Sequence, residues 1–194
     1  MRSPVVDLLA DAAAALREAG VPWYLFGAQA AILHGAARLT ADVDVTVRLP
    51  PAVTAIVLTD VFRRHGFDAR FDTPAFIERT RVVPFVHRLT SIPLDVVLGG
   101  PGLEDAFLER ARPRDIEGVT VPVASPEDVI VMKVLAGREK DLDDIRAVIS
   151  GQGPRLDTGY VRDTLGSLEG ALGQSDLLPA FESALRRATS FRNE

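Results

Sequence analysis

Two aspartates interrupt a valine run at Asp42-Val43-Asp44-Val45-Thr46-Val47, and a third stands inside Pro93-Leu94-Asp95-Val96-Val97-Leu98. Aspartate is disfavoured in strands, so its presence there needs a reason. Residues i and i+2 of a strand face the same side, about 6.5–7 Å apart. Asp42, Asp44, Thr46 and Arg48 are therefore expected on one face, and Val43, Val45 and Val47 on the core face. Two unpaired carboxylates side by side repel each other. A divalent cation removes that conflict. Mg²⁺ suits oxygen donors and is commonly held by one or two carboxylates plus substrate phosphates. Leu94, Val96 and Leu98 place Asp95 on the polar side of its own strand. If the two strands are neighbours, three acids converge and clamp two metals about 3.5–4 Å apart for in-line phosphoryl or nucleotidyl displacement. A lone aspartate most often just faces solvent; the weight lies in the combination.

The elements that would position these acids follow from pattern and punctuation. Ser3-Pro4 supplies an N-cap with proline at N1, and Gly20 a stop, for a helix over residues 3–19. Residues 23–26 read as a short buried strand. Gly27 then opens a helix to about Ala36, and residues 43–47 form a strand bounded by Pro50-Pro51. A helix over 52–65 ends at Gly66. Residues 67–98 read as strands and loops, clearest at 81–89 and 92–98. A helix over 102–111 and a strand over 118–124 follow. Ser125-Pro126-Glu127-Asp128 is a helix start with cap, proline and two acids. Helices are predicted over 126–136, 139–149, 157–171 and 176–190, with 151–154 as the candidate linker. The chain thus divides into a mixed α/β part, residues 1–124, and a helical part, residues 125–194. The fold class is α/β (α+β): a mixed sheet flanked by helices, with a helical C-terminal region.

Composition narrows the chemistry. Of 194 residues, 47% are hydrophobic and 25% charged, enough for a proper core, and the net charge of −5 argues against a general nucleic-acid binder. With no cysteine, thiolate catalysis, disulfides and cysteine–zinc sites are excluded. No signal peptide or membrane span is expected, and a cytoplasmic location fits.

Further residues fit a phosphate-handling site. Gly27 at a strand-to-helix turn permits close backbone approach to a ligand, or serves the turn alone. Lys133, in an apolar helix, is either a snorkelling rim residue or a charge aimed at a ligand. Asp141 and Asp144 share one helix face; they are either N-terminal helix charges or, for Asp141, the group that orients Lys133 or Arg138. Arg38 either contacts phosphate or braces the aspartate strand. Arg79, Arg81, His87 and Arg88 form a basic strip near Asp95, for an acceptor or as a solvated sheet edge. His34 lies on the Gly27 helix, and a total of only three histidines argues against a histidine metal site.

Gly27-Ala28, thirteen intervening residues, Asp42-Val43-Asp44 and the later Asp95 together resemble the nucleotidyltransferase superfamily that includes DNA polymerase beta. Arg38, Thr40, Asp42 and Asp44 match R-x-T-x-D-x-D, and the stretch is similar to AbiEii-type and MenT-type nucleotidyltransferase toxins. Lys133, Lys140, Asp141 and Asp144 match that family's lysine helix and K-D-x-x-D. The resemblance covers roughly residues 20–150. It implies a minimal nucleotidyltransferase fold and transfer of a nucleoside monophosphate from an NTP to a hydroxyl, with two Mg²⁺ ions. Asp42, Asp44 and Asp95 would be the catalytic and metal-binding acids. Gly27, Ala28, Arg38, Thr40, Lys133, Lys140 and Asp141 would serve the nucleotide. Ala28 departs from the serine or glycine common at that place, so phosphate contacts would rest on backbone and basic groups. The toxin likeness implies tRNA, modified at its 3′ end, or a protein side chain as acceptor, and an antitoxin partner. A small-molecule acceptor such as an aminoglycoside, or a catalytically silent binding module, are the alternatives.

Overall fold

Ser3 and Pro4 start α1 (Pro4–Glu18), whose Val6, Leu8, Leu9, Ala12 and Leu16 are buried along one stripe. A computed structural model describes residues 2–71 and 73–190 of the chain. The division into two compact units falls within a helix. Met1–Gln29 and Thr40–Ala124 form the first, and Ala30–Leu39 with Ser125–Glu194 the second. Residues 30–39, assigned to the α/β part by chain order, thus group with the C-terminal helices.

In the first unit, seven strands among the described residues form one mixed sheet in the order β3-β4-β5-β2-β1-β7-β6. They are β1 (Trp23–Phe26), β2 (Val43–Val47), β3 (Phe67–Ala69), β4 (Val82–His87), β5 (Pro93–Leu98), β6 (Arg112–Ile116) and β7 (Val119–Val123). The centre is built from the most apolar strands. β2 runs antiparallel to β1 and parallel to β5, with Val43 opposite Leu94 and Val47 opposite Leu98. Residues 43, 45 and 47 are buried as the alternation requires. Thr46 is buried too, contrary to a simple polar outer face, because Gly99 and Glu104 close over that end of the strand. Helices α3 (Ala55–Arg64), α4 (Pro74–Thr80) and α5 (Leu103–Arg110) complete the unit. Phe62 of α3 stacks on Phe85 with ring centroids 4.7 Å apart, and Phe67 meets Phe62 edge-on at 5.2 Å.

Two elements were not foreseen. α4 presents only Ile77 as a buried residue, too little for a helical stripe. β6, Arg-Pro-Arg-Asp-Ile, is almost wholly exposed and among the described residues pairs only with β7, so it carries no apolar alternation. Its proline and charges suit an edge strand. The Glu117-Gly118 turn, with φ of 49° and 85°, closes that hairpin.

The second unit contains α6 (Pro126–Ala136), α7 (Glu139–Gln152), α8 (Thr158–Leu172), α9 (Leu177–Ser190) and the end of α2 (Gly27–Leu33). Ser125 caps α6 by accepting the Asp128 N–H at 3.1 Å, and Gly137 ends it in a left-handed conformation. The expected linker at 151–154 is instead packed structure. Gly151 lies inside α7, where a Cβ would come within 2.7 Å of the His34 carbonyl oxygen, and Gly153–Arg155 form a 3₁₀ turn. The helix from Gly27 stops at Leu33, three residues early, and Gln152 donates to the His34 carbonyl at 3.1 Å. Among the described residues, no helix is long and apolar enough to cross a membrane.

Candidate active site

The acids of the first unit are positioned by four adjacent strands. Phe26 pairs with Asp44, Asp44 with Asp95, and Asp95 with Pro84. Residues in one such row point to the same face, and neighbouring strands lie about 4.8 Å apart. Asp44 and Asp95 therefore stand side by side. Both are half-buried, because Val43, Val45, Leu94 and Val96 anchor the opposite face of the same strands.

Gly27 follows Phe26 directly and explains itself through Asp44. Its φ is +65°, and a Cβ there would come within 2.7 Å of Asp44 Cγ and 2.9 Å of Asp44 Cβ. The glycine is required twice, once for the left-handed turn and once to seat a carboxylate against the backbone. Ala28 is buried just behind it.

Asp42 precedes β2 and lies outside the ladder. It is exposed, and its Oδ1 accepts the Thr40 hydroxyl at 2.5 Å. The expected strand-face partnership of Asp42 with Asp44 is thus replaced by a loop position. Asp95 has a partner the sequence did not suggest: Arg70 Nη2 donates to its Oδ1 at 2.8 Å. Among the described residues no three His, Cys, Asp or Glu side chains stand together as a metal-binding group. The donor set fits a divalent cation in another way. Asp44 and Asp95 would supply neighbouring hard oxygens, and Mg²⁺ is commonly held by one or two carboxylates together with phosphates and water.

In the second unit, Lys133 is the centre of a buried ion network. Its side chain is 3% exposed, and Nζ donates to Asp141 Oδ1 at 2.8 Å and Asp144 Oδ2 at 2.7 Å. Asp141 also accepts from Arg138 Nε at 2.6 Å, and Asp144 from Arg38 Nη1 at 2.9 Å. Burial pushes the Asp141 carboxyl up, but hydrogen bonds and charge from Arg138 and Lys133 outweigh it and hold the group below the ordinary aspartate value. The i, i+3 spacing of the two aspartates is what lets both reach one ammonium. Lys133 neither snorkels to a rim nor presents an open charge. Arg38 and Lys140 line an open hollow of about 460 Å³ with Ala36, Ala37, Asp143 and Ala147.

The basic strip foreseen near Asp95 is mostly engaged within the fold. Arg81 donates to the Leu98 carbonyl at 2.8 Å and the Gly99 carbonyl at 3.2 Å. Arg88 holds Asp68 and the Arg63 carbonyl, each at 2.8 Å. His87 is buried between Thr90 and Asp11, at 2.9 Å from each. Arg79 is exposed.

Comparisons with known proteins agree on the fold. The solution structure of the antibiotic-resistance factor ANT(2'')-Ia matches with TM-score 0.60 at 18% identity, covering 89% of this chain and 97% of that one. A crystal structure of ANT(2'')-Ia in complex with adenylyl-2''-tobramycin gives TM-score 0.59 at 17% identity, covering 86% and 99%. An antigenic nucleotidyltransferase-like protein from Paracoccidioides brasiliensis gives 0.54 at 21% identity, covering 94% and 90%. No curated protein sequence matches the chain. A sequence family described as nucleotidyltransferase of unknown function (DUF6036) matches residues 8–163. With the match spanning most of the sequence, both the sheet and the first helices of the second unit, the chain belongs to that nucleotidyltransferase family.

Proposed function

We propose that this protein moves a nucleoside monophosphate from an NTP to a hydroxyl acceptor in the cytoplasm. The acceptor oxygen attacks the α-phosphorus, and the bond to the bridging oxygen of the β-phosphate breaks. That electron pair leaves with pyrophosphate. The hydroxyl proton passes to Asp95, beside Asp44. Asp42, Asp44 and Asp95 would hold two Mg²⁺ ions, which supply charge neutralisation for the phosphates when bound. Gly27, Ala28, Arg38, Thr40, Lys133, Lys140 and Asp141 are proposed to serve the nucleotide. For Lys133 and Asp141 that service is indirect, through the network that fixes Arg38 and Arg138. The observation that carries this reading is the Asp44–Asp95 row seated against Gly27.

Two acceptor classes compete. The Arg38-x-Thr40-x-Asp42-x-Asp44 run supports a toxin of the AbiEii or MenT kind, acting on tRNA and restrained by an antitoxin protein. A small hydroxylated acceptor is favoured by a different observation. Of the basic strip that could face an RNA, Arg81, His87 and Arg88 are bonded within the fold, and Arg79 is exposed. The ANT(2'')-Ia complex, a fold neighbour, holds an adenylylated aminoglycoside.

The test is a transfer assay. Protein, Mg²⁺ and each α-labelled NTP are incubated with total tRNA or with a panel of aminoglycosides, beside a D44N/D95N control. Label on one acceptor class, absent in the control, selects between them. Absence of both transfer and Mg²⁺-dependent NTP binding leaves a silent module and overturns the proposal.

A further inference from the structure

Arg70 is placed on Asp95 by the sheet itself. β3 ends at Ala69, opposite Phe85 of β4, and the Arg70 N–H then donates to the Pro84 carbonyl at 2.8 Å. Pro84 is in turn the register partner of Asp95 on β5. Two successive ladders therefore fix where the Arg70 backbone stands. Its side chain crosses a compact proline to reach the carboxylate, Nη2 to Oδ1 at 2.8 Å. The pair is 39% and 33% exposed, so neither group is locked away from a ligand.

We propose that Arg70 is a positioning residue of the transfer reaction, holding Asp95 in the free protein and giving it up to a divalent cation that arrives with nucleotide. This rests on the role proposed above for Asp95. A guanidinium on Oδ1 and a divalent cation at the same carboxylate repel each other, and the ion pair draws off negative charge that the carboxylate would otherwise offer the metal. Metal alone meets that repulsion without compensation. Metal carried by a triphosphate brings anionic oxygens that accept the released guanidinium. Arg70 thus holds the carboxylate in place in the free protein while lowering its affinity for free metal.

The experiment is a Mn²⁺ titration of the full chain without nucleotide, read by the electron paramagnetic resonance of free Mn²⁺. Wild type is compared with R70Q, R70K, D95N, D44N and R70Q/D95N. R70Q is expected to bind Mn²⁺ about 1.5- to 5-fold more tightly, the strength of a half-exposed ion pair. R70K falls between, and the gain vanishes in R70Q/D95N. If R70Q binds like wild type while D95N binds more weakly, Arg70 does not guard Asp95, and the transferase proposal stands. If neither D44N nor D95N alters binding, the carboxylates are not the metal site and both readings fall.

Discussion

Replacing Gly27 by alanine tests the link between glycine and carboxylate directly. Gly27 has φ of +65°, and an alanine Cβ would come within 2.7 Å of Asp44 Cγ. The left-handed conformation costs a non-glycine residue about 1–2 kcal/mol. Forcing a packed group aside adds about 1–3 kcal/mol. The expected loss of stability is therefore about 2–5 kcal/mol, measured by urea unfolding at neutral pH. Asp44 is the group that must yield, and displacement of a reacting group by about 1 Å costs on the order of 100-fold in rate. Transfer activity in the folded G27A protein should fall by at least that much. A double-mutant cycle separates the two costs. In a D44A background the carboxylate is gone and only the Cβ, 2.9 Å away, remains, so G27A should cost less than in wild type, by up to about 1–3 kcal/mol. Equal cost in both backgrounds would refute a clash with the Asp44 carboxylate. Full stability of G27A would refute the backbone geometry as well.

Other perturbations follow from the same contacts. K133M leaves Asp141 and Asp144 buried without their shared cation, and should cost about 3–5 kcal/mol in urea unfolding. Asp141 is held below its ordinary value of 3.8, so its contribution to stability is full above that pH and is lost as pH falls through the lower folded value. Acid unfolding of D141N followed by circular dichroism should lack that component below pH 3.8. R81A removes donors from the Leu98 and Gly99 carbonyls and should cost about 1–3 kcal/mol in thermal or urea unfolding, with tRNA affinity unchanged in a filter-binding assay.

Much of this architecture is written locally. Ser3-Pro4 and Ser125-Pro126 start helices because capping and a preset φ need only neighbouring residues. Val43 to Val47 and Trp23 to Phe26 form strands with the bounds their apolar runs suggest. Asp44, Asp95 and Gly27 stand out in the sequence because each breaks a strong local pattern. Lys133, Asp141 and Asp144 stand out for the same reason, as charges in an apolar helix and at helical spacing.

What these residues touch was decided only by tertiary structure. β6 has no apolar face, so nothing local marks it; it exists because β7 offers an edge. Arg70 looks like any arginine in Phe67-Asp-Ala-Arg70. It acquires a role because antiparallel pairing carries it across β4 to an aspartate 25 positions later. Lys133 reads in isolation as a rim or ligand group, yet the turn at Gly137 folds α7 back and delivers two carboxylates to it. Gly27 reads as a turn or a ligand cradle, and the β1–β2 register shows that the group it admits is Asp44. Local sequence sets backbone preference through short-range sterics and hydrogen bonds. Partnership between distant charges depends on strand order and register, which only the assembled core specifies.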